Sequence, residues 1–433
     1  MRKRLSRLAA LLLILGVTLA SAQQTHYMKA SDVLFDEIGT PGGTYTLSLT
    51  SSPQCFLYYG CIDSSAYTVI ENMFDPLVDV NPVTYEIEPA LAESWDILED
   101  ENAVVFHLRP GVTWHDGVPF TADDVIFSFE NVIMNENARG NETARFILDG
   151  KPITWEKIDD LTVRANLPVP YGAFLRVVTN ALILPKHKLA DKVATLNPDL
   201  EPGAINKAWT TGTPLSEIVG TGPFMLSEFV PDQKITLKKN PNYWQTDPAG
   251  NPLPYVDELE YLIVPSSEVQ VAQFVAGQID ALTISGAQYP DLKGQEVAGA
   301  DFRVMRGKAL FGSPPHWAFN WDTDDETLAK VFRQDEFRHA MAYVLDRQRI
   351  INDVYNTLAS EPGTPVAPTS SFYNPEVSQY FVEQDLDKAA AMLDELGYTD
   401  TDGDGIRNID ANHELEFNIS TYVESTVYPP IAT

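Results

Sequence analysis

Val104, Phe106 and Leu108 alternate with Val105, His107 and Arg109. Period two predicts a strand with one buried face. Pro110-Gly111 ends that strand, and a second turn at Asp116-Gly117 leads to Thr121. Thr121 stands where a helix N-cap belongs, with Asp124 three residues on as a short-armed capping-box partner. Val125, Ile126, Phe129, Val132 and Ile133 then follow at helical spacing and predict one buried stripe. Trp114 and His115 fall on the turn, where no nucleophile, base or metal-ligand set surrounds them.

The rest of the chain mixes both periods. Leu161 to Leu167, Ile235 to Leu237 and Leu259 to Val264 read as strands, and Asp335 to Asp346 and Asp385 to Leu396 as helices. In the last of these Leu386, Ala389, Ala390, Leu393 and Leu396 share a face, and Gly397 supplies the stop. Tyr422 to Thr433 reads as the approach to a helix not yet begun. Strands and helices interspersed throughout predict the α/β class. With 433 residues, 44% of them hydrophobic, two or three domains are expected.

Composition adds a location. Arg2, Lys3, Arg4 and Arg7 precede an apolar run from Leu8 to Ala20, then Ala20-Ser21-Ala22 before Gln23. That is the pattern of a cleavable secretory signal over residues 1–22, and the run is shorter than the roughly 20 residues of a membrane span. The expected location is therefore periplasmic or extracellular. No cysteine follows the cleavage site, so a lipid anchor is not supported. Cys55 and Cys61, the two cysteines, suit one disulfide closing a small loop in an oxidising compartment. Two free thiols are the alternative. The formal charge is −31, and −35 without the signal (26 basic against 61 acidic residues), which argues against nucleic acid and anionic lipid as partners.

Candidate chemistry is sparse. Gly220 and Gly222 form a Gly-x-Gly with no third glycine, so a dinucleotide site is not indicated, and the pair is expected to let a crossing strand bend. Asn240 to Trp244 reads as a turn with packed rings. Asp400, Asp402, Asp404 and Gly405 match the opening of a calcium loop. The carbonyl of Ile406, the side chain of Asn408 and Asp410 would complete its shell, Asp410 standing in because the twelfth position is Ala411. Structural calcium and an unloaded acidic turn are the two readings. No nucleophile elbow, phosphate loop or His-Glu-x-x-His pair occurs, no cofactor is required, and the chain is not expected to be an enzyme.

Trp114, Asp116, Gly117, Pro119, Thr121, Ala122, Asp124, Val125 and Phe127 together resemble the signature of the family 5 extracellular solute-binding proteins, receptors for peptides, oligopeptides and nickel that serve ABC importers. The likeness continues in order through Val219 to Leu226, Asn240 to Trp244, Phe274 to Ala281 and Phe337 to Arg347, covering nearly the whole mature chain. It implies a large three-domain periplasmic binding protein fold. Lobe one would comprise residues 23–61 and 212–301, an extra domain 62–211, and lobe two 302–433. Relatives of this kind run on past Thr433, so lobe two is expected to be incomplete. The resemblance implies a monomer that closes on a peptide by a hinge motion and delivers it to a membrane permease. It places Asp75, Pro76 and Leu77 at a backbone edge for the ligand, and Trp317, Phe319 and Asn320 in the segment opening lobe two. An oligosaccharide ligand is the alternative, suggested by the inserted loop from Asp247 to Asp257. A secreted hydrolase and a calcium-stabilised envelope protein are the rivals from other classes.

Overall fold

The computed structural model describes residues 38–433 except 82–85, 140–141, 306–314, 360–363, 365, 367–372, 422–427 and 433. The expected signal segment lies outside the described residues. The described residues divide into two compact units, those within 29–282 and those within 283–433.

From residue 38 to residue 297 the main elements run β1 (Thr44–Leu49), α1 (Ser64–Ile70), β2 (Val78–Val80), β3 (Ile87–Pro89), β4 (Ala92–Leu98), β5 (Ala103–Leu108), α2 (Ala122–Ile126), β6 (Thr154–Asp159), β7 (Thr162–Asn166), β8 (Phe224–Val230), β9 (Lys234–Lys239), β10 (Glu258–Ile263), α3 (Ser267–Val275) and, already in the second unit, α4 (Tyr289–Val297). Two four-stranded sheets result, β1-β10-β9-β8 and β4-β5-β7-β6. The first is mixed: β1 runs parallel to β10 while β10, β9 and β8 are antiparallel. The second is antiparallel throughout. The strands expected near residues 104–108, 161–167, 235–237 and 259–264 are β5, β7, β9 and β10.

The second unit carries α5 (Glu326–Phe332), α6 (Asp335–Val344), α7 (Arg347–Asp353), α8 (Leu386–Glu395), a hairpin of β11 (Asn408–Asp410) and β12 (His413–Glu414), and α9 (Tyr428–Ala432). The Asp335 to Asp346 stripe ends at Val344, and α7 starts with Asp346 as its cap. Helix α8 is as expected: Asp385 accepts from the Lys388 N–H at 2.8 Å, and Gly397 takes φ 85°. The chain end departs from expectation. Residues 422–427 lie outside the described residues, but 428–432 are already helical.

Each unit has its own apolar core. In residues 29–282 one continuous cluster joins Phe56, Ile70, Phe106, Trp114, Phe127, Phe129, Phe174 and Ile235 with their neighbours. In the other unit Val331, Phe332, Phe337, Ala340, Leu393 and Tyr398 form a smaller one. After α2 the helix widens into a π-helical stretch over Phe127–Ile133. This corrects the predicted stripe. Phe127 and Ser128 are buried and Ile126 is only partly so, because wider turns rotate consecutive side chains by less than the α period assumes.

Candidate functional site

The signature segment is explained by a junction of four chain stretches in the unit of residues 29–282. Thr121 and Asp124 form the reciprocal capping box that starts α2. The Asp124 carboxylate does more than cap: it accepts from the N–H of Thr121 (3.0 Å), from the N–H of Lys186 (3.0 Å) and from the indole of the fully buried Trp114 (3.4 Å). One short side chain thereby joins the helix start, the preceding turn and the segment near residue 186.

His115, which carries no role in the sequence pattern, bridges the glycine pair. Its Nδ1 accepts from the Gly220 N–H at 2.9 Å and its Nε2 donates to the Gly222 carbonyl at 3.1 Å. That pairing requires a neutral ring with the proton on Nε2, and burial pushes its pKa down to about 4. Gly222 N–H in turn donates to the Met73 carbonyl at 2.9 Å. The glycines serve close approach. A Cβ on Gly220 would lie 1.7 Å from Met73 O, and one on Gly222 would lie 2.5 Å from Met73 C. Neither has a positive φ; the chain bends at residues 221–223 as expected, and the glycines also permit a tight backbone crossing at Met73.

Next to this crossing lies Asp75, one of the expected ligand residues. Its carboxylate is buried and accepts from Tyr243 Oη at 3.2 Å and Trp244 Nε1 at 3.2 Å. Burial pushes its pKa up to about 6, with the hydroxyl and indole donors of Thr221, Trp244 and Tyr243 opposing the rise. Tyr243 Oη also lies 3.3 Å from Gln245 Oε1. The Arg109 guanidinium sits 4.4 Å from the centroid of the Trp244 ring. The expected turn with packed rings at Asn240 to Trp244 is thus one wall of a buried polar network.

The backbone of residues 75–77 is engaged within the unit. The Asp75 carbonyl accepts from Ile183, the Pro76 carbonyl from Leu91 and the Leu77 carbonyl from Ala92, at 3.2, 3.2 and 2.8 Å. Asp75 N–H donates to Thr221 Oγ1 at 3.3 Å, and proline has no N–H. Leu77 is fully buried.

The remaining expected site residues lie in the other unit. Phe319, partly buried, packs its ring against Phe332, Phe337 and Phe417 at 5.3, 5.5 and 6.1 Å, on the edge of the core. Trp317 is half-buried and Asn320 exposed, with its Oδ1 accepting from the Asp322 N–H at 3.1 Å. The carboxylates of Asp400, Asp402 and Asp404 converge to within 4.8 Å of one another. Two of the other expected calcium donors, Asn408 and Asp410, hydrogen-bond to nearby residues. Asn408 Oδ1 accepts from Thr401 N and Oγ1 at 2.8 and 2.7 Å, Asp410 holds His413 Nδ1 at 2.7 Å, and the Ile406 N–H donates to Asp404 at 2.8 Å. Calcium takes six to eight oxygens, and three of the expected carboxylates lie together here. Cys55 and Cys61 are joined in a disulfide, as expected.

The signature residues of this α/β protein thus fasten a helix start and a backbone crossing within one unit. The chain belongs to the bacterial extracellular solute-binding proteins, family 5, whose profile matches residues 86–433. This is a receptor family of ABC importers and not an enzyme family. The chain is 30% identical to the periplasmic alpha-galactoside-binding protein of Rhizobium meliloti over 364 residues, 78% of this chain and 50% of that one. It is 26% identical to the oligopeptide-binding protein AppA of Bacillus subtilis over 433 residues, all of this chain and 73% of that one. Among solved structures it resembles the periplasmic binding protein MelB of Agrobacterium fabrum in complex with stachyose, with TM-score 0.73 and 25% identity, covering 86% of this chain and 58% of that one. The chain therefore spans between half and about three quarters of the length of these relatives. Among the described residues no helix is long and apolar enough to cross a membrane.

Proposed function

We propose that this chain is the solute-capturing receptor of an ABC importer and that its ligand is an oligosaccharide, delivered to membrane permease subunits. The observation that carries the choice of ligand is the backbone accounting at residues 75–77. A receptor that reads an extended peptide by its main chain needs open N–H and C=O groups. Here all three carbonyls and the Asp75 N–H already have partners inside the unit. Sugars are recognised by side chains and aromatic faces, which this accounting leaves untouched. The likeness to the alpha-galactoside-binding protein and to the stachyose-bound structure supports the same choice.

Peptide capture is the second reading, favoured by the likeness to the oligopeptide-binding relative along the whole chain. Thermal unfolding with stachyose, raffinose or a pooled tripeptide-to-nonapeptide mixture separates the two, because a ligand that binds only the native state raises the midpoint. The expected result is a rise with the sugars alone. A rise with peptides alone would replace the first reading by the second.

A further inference from the structure

We propose that Trp321 is a stacking platform for one pyranose ring of the ligand, an inference that rests on the oligosaccharide reading above. Trp321 follows directly on the segment from Trp317 to Asn320, yet differs from Phe319 in its surroundings. Phe319 is enclosed by three rings, whereas Trp321 is 51% exposed. Single exposed aromatic residues are common on protein surfaces, so exposure alone says little. The distinguishing feature is how firmly this ring is held.

The Arg338 guanidinium lies 4.9 Å from the indole centroid. That guanidinium is itself fixed, donating to the Phe332 carbonyl at 2.7 Å and pairing with Asp335. The turn carrying Trp321 has contacts of its own: Asn320 Oδ1 accepts from the Asp322 N–H at 3.1 Å, and the exposed Asp322 pairs with Arg333 at 3.2 Å. A cation on one face of an aromatic ring both orients it and leaves the rest of its surface for another partner. Pre-organised groups lose less freedom when a ligand binds, so more of the contact appears as affinity.

The polar surroundings suit a sugar better than an apolar ligand. Among the described residues neither the Trp321 indole N–H nor the Asn320 amide nitrogen has a protein partner. Asp322 adds an exposed carboxylate that accepts hydrogen bonds. A pyranose presents an apolar C–H face to an indole and hydroxyl groups around its rim. An exposed indole with polar residues on either side in the chain, Asn320 and Asp322, offers both kinds of contact, as binding sites for small ligands combine apolar walls with a few polar groups.

The test is isothermal titration of the full chain with stachyose and with a nonapeptide, for wild type, Trp321→Ala, Trp321→Phe and Asn320→Ala, each with its thermal midpoint measured. Support would be wild-type binding of stachyose, a loss of about tenfold or more in Trp321→Ala, retention within about threefold in Trp321→Phe, and an unchanged midpoint. Wild-type stachyose affinity in both Trp321 variants would overturn the platform while leaving the oligosaccharide reading intact. A fall in midpoint in Trp321→Ala, with affinity kept in Trp321→Phe and in folded Trp321→Ala at low temperature, would overturn it too and assign the ring to packing. Binding of the nonapeptide and not of stachyose by wild type would overturn both the platform and the reading beneath it.

Discussion

At the scale of single residues, the backbone crossing at Met73 sets the strictest demand on side-chain identity. Gly222→Ala would drive a Cβ against main-chain atoms of Met73 and Phe74, which cannot rotate away. A cost of about 3 kcal/mol or more is expected, read as a lower urea midpoint. A loss below about 1 kcal/mol would mean that the crossing relaxes. The two titrating groups beside it oppose one another. Asp75 is raised from 3.8 to about 6, so the native state holds its proton more tightly than the unfolded chain. Its contribution is fully present below about pH 4 and is lost as pH rises through 6. His115 is lowered from 6.5 to about 4, so its contribution is fully present above pH 6.5 and is lost as pH falls through 4. Each amounts to roughly 3 kcal/mol, and they cancel over the same window. Relative to the wild-type stability profile, Asp75→Asn is therefore expected to gain a slope rising with pH between 4 and 6.5, and His115→Gln one falling with pH. Parallel profiles for all three proteins would refute the assignment. The sequence pointed to Asp75 through resemblance but gave His115 no part, because a histidine on a turn has no periodicity to mark what it bonds.

At the scale of elements, the start of α2 was legible in full. Thr121, Asp124 and the apolar residues after them are a local code, and the capping box forms as that code requires. What the code omits is the second use of Asp124. Replacing it by Ala would strand the N–H of Thr121, the N–H of Lys186 and the Trp114 indole in a buried site. The expected cost is about 3 kcal/mol or more in urea unfolding, beyond the roughly 1 kcal/mol of losing a cap alone. A cost no larger than an ordinary cap would show that water replaces the lost acceptor. The widening after Ile126 was not legible, since it answers to the core around Phe127, Phe129 and Trp155, and Ser128 is drawn in to accept from Leu184 N–H at 2.8 Å. The expected ligand segment at Trp317 to Asn320 divided for a related reason: alternation marks a side to be buried, and Phe319 was taken by its own core.

At the scale of the whole molecule, two cores imply two responses to a core mutation. Phe129, stacked on Trp155 at 3.9 Å, belongs to the unit of residues 29–282, and Phe337 belongs to the other. Calorimetry is expected to resolve two transitions, with Phe129→Ala lowering one and Phe337→Ala the other, each by the about 3–5 kcal/mol of an emptied aromatic site. One transition moved equally by both substitutions would show a single cooperative unit. The sequence by itself determined the strands near residues 104–108, 161–167, 235–237 and 259–264, the caps of α2 and α8, the α/β class and the acidic loop of three aspartates, because each depends on residues a few positions apart. Tertiary structure alone decided that Asp75 meets Tyr243 and Trp244, 168 and 169 positions away, and that His115 meets Gly220 and Gly222. A periodic pattern specifies that a face is buried but not which other buried face it meets. Only the strand order and crossings of the folded chain bring those groups together, and that is where the binding scaffold is made.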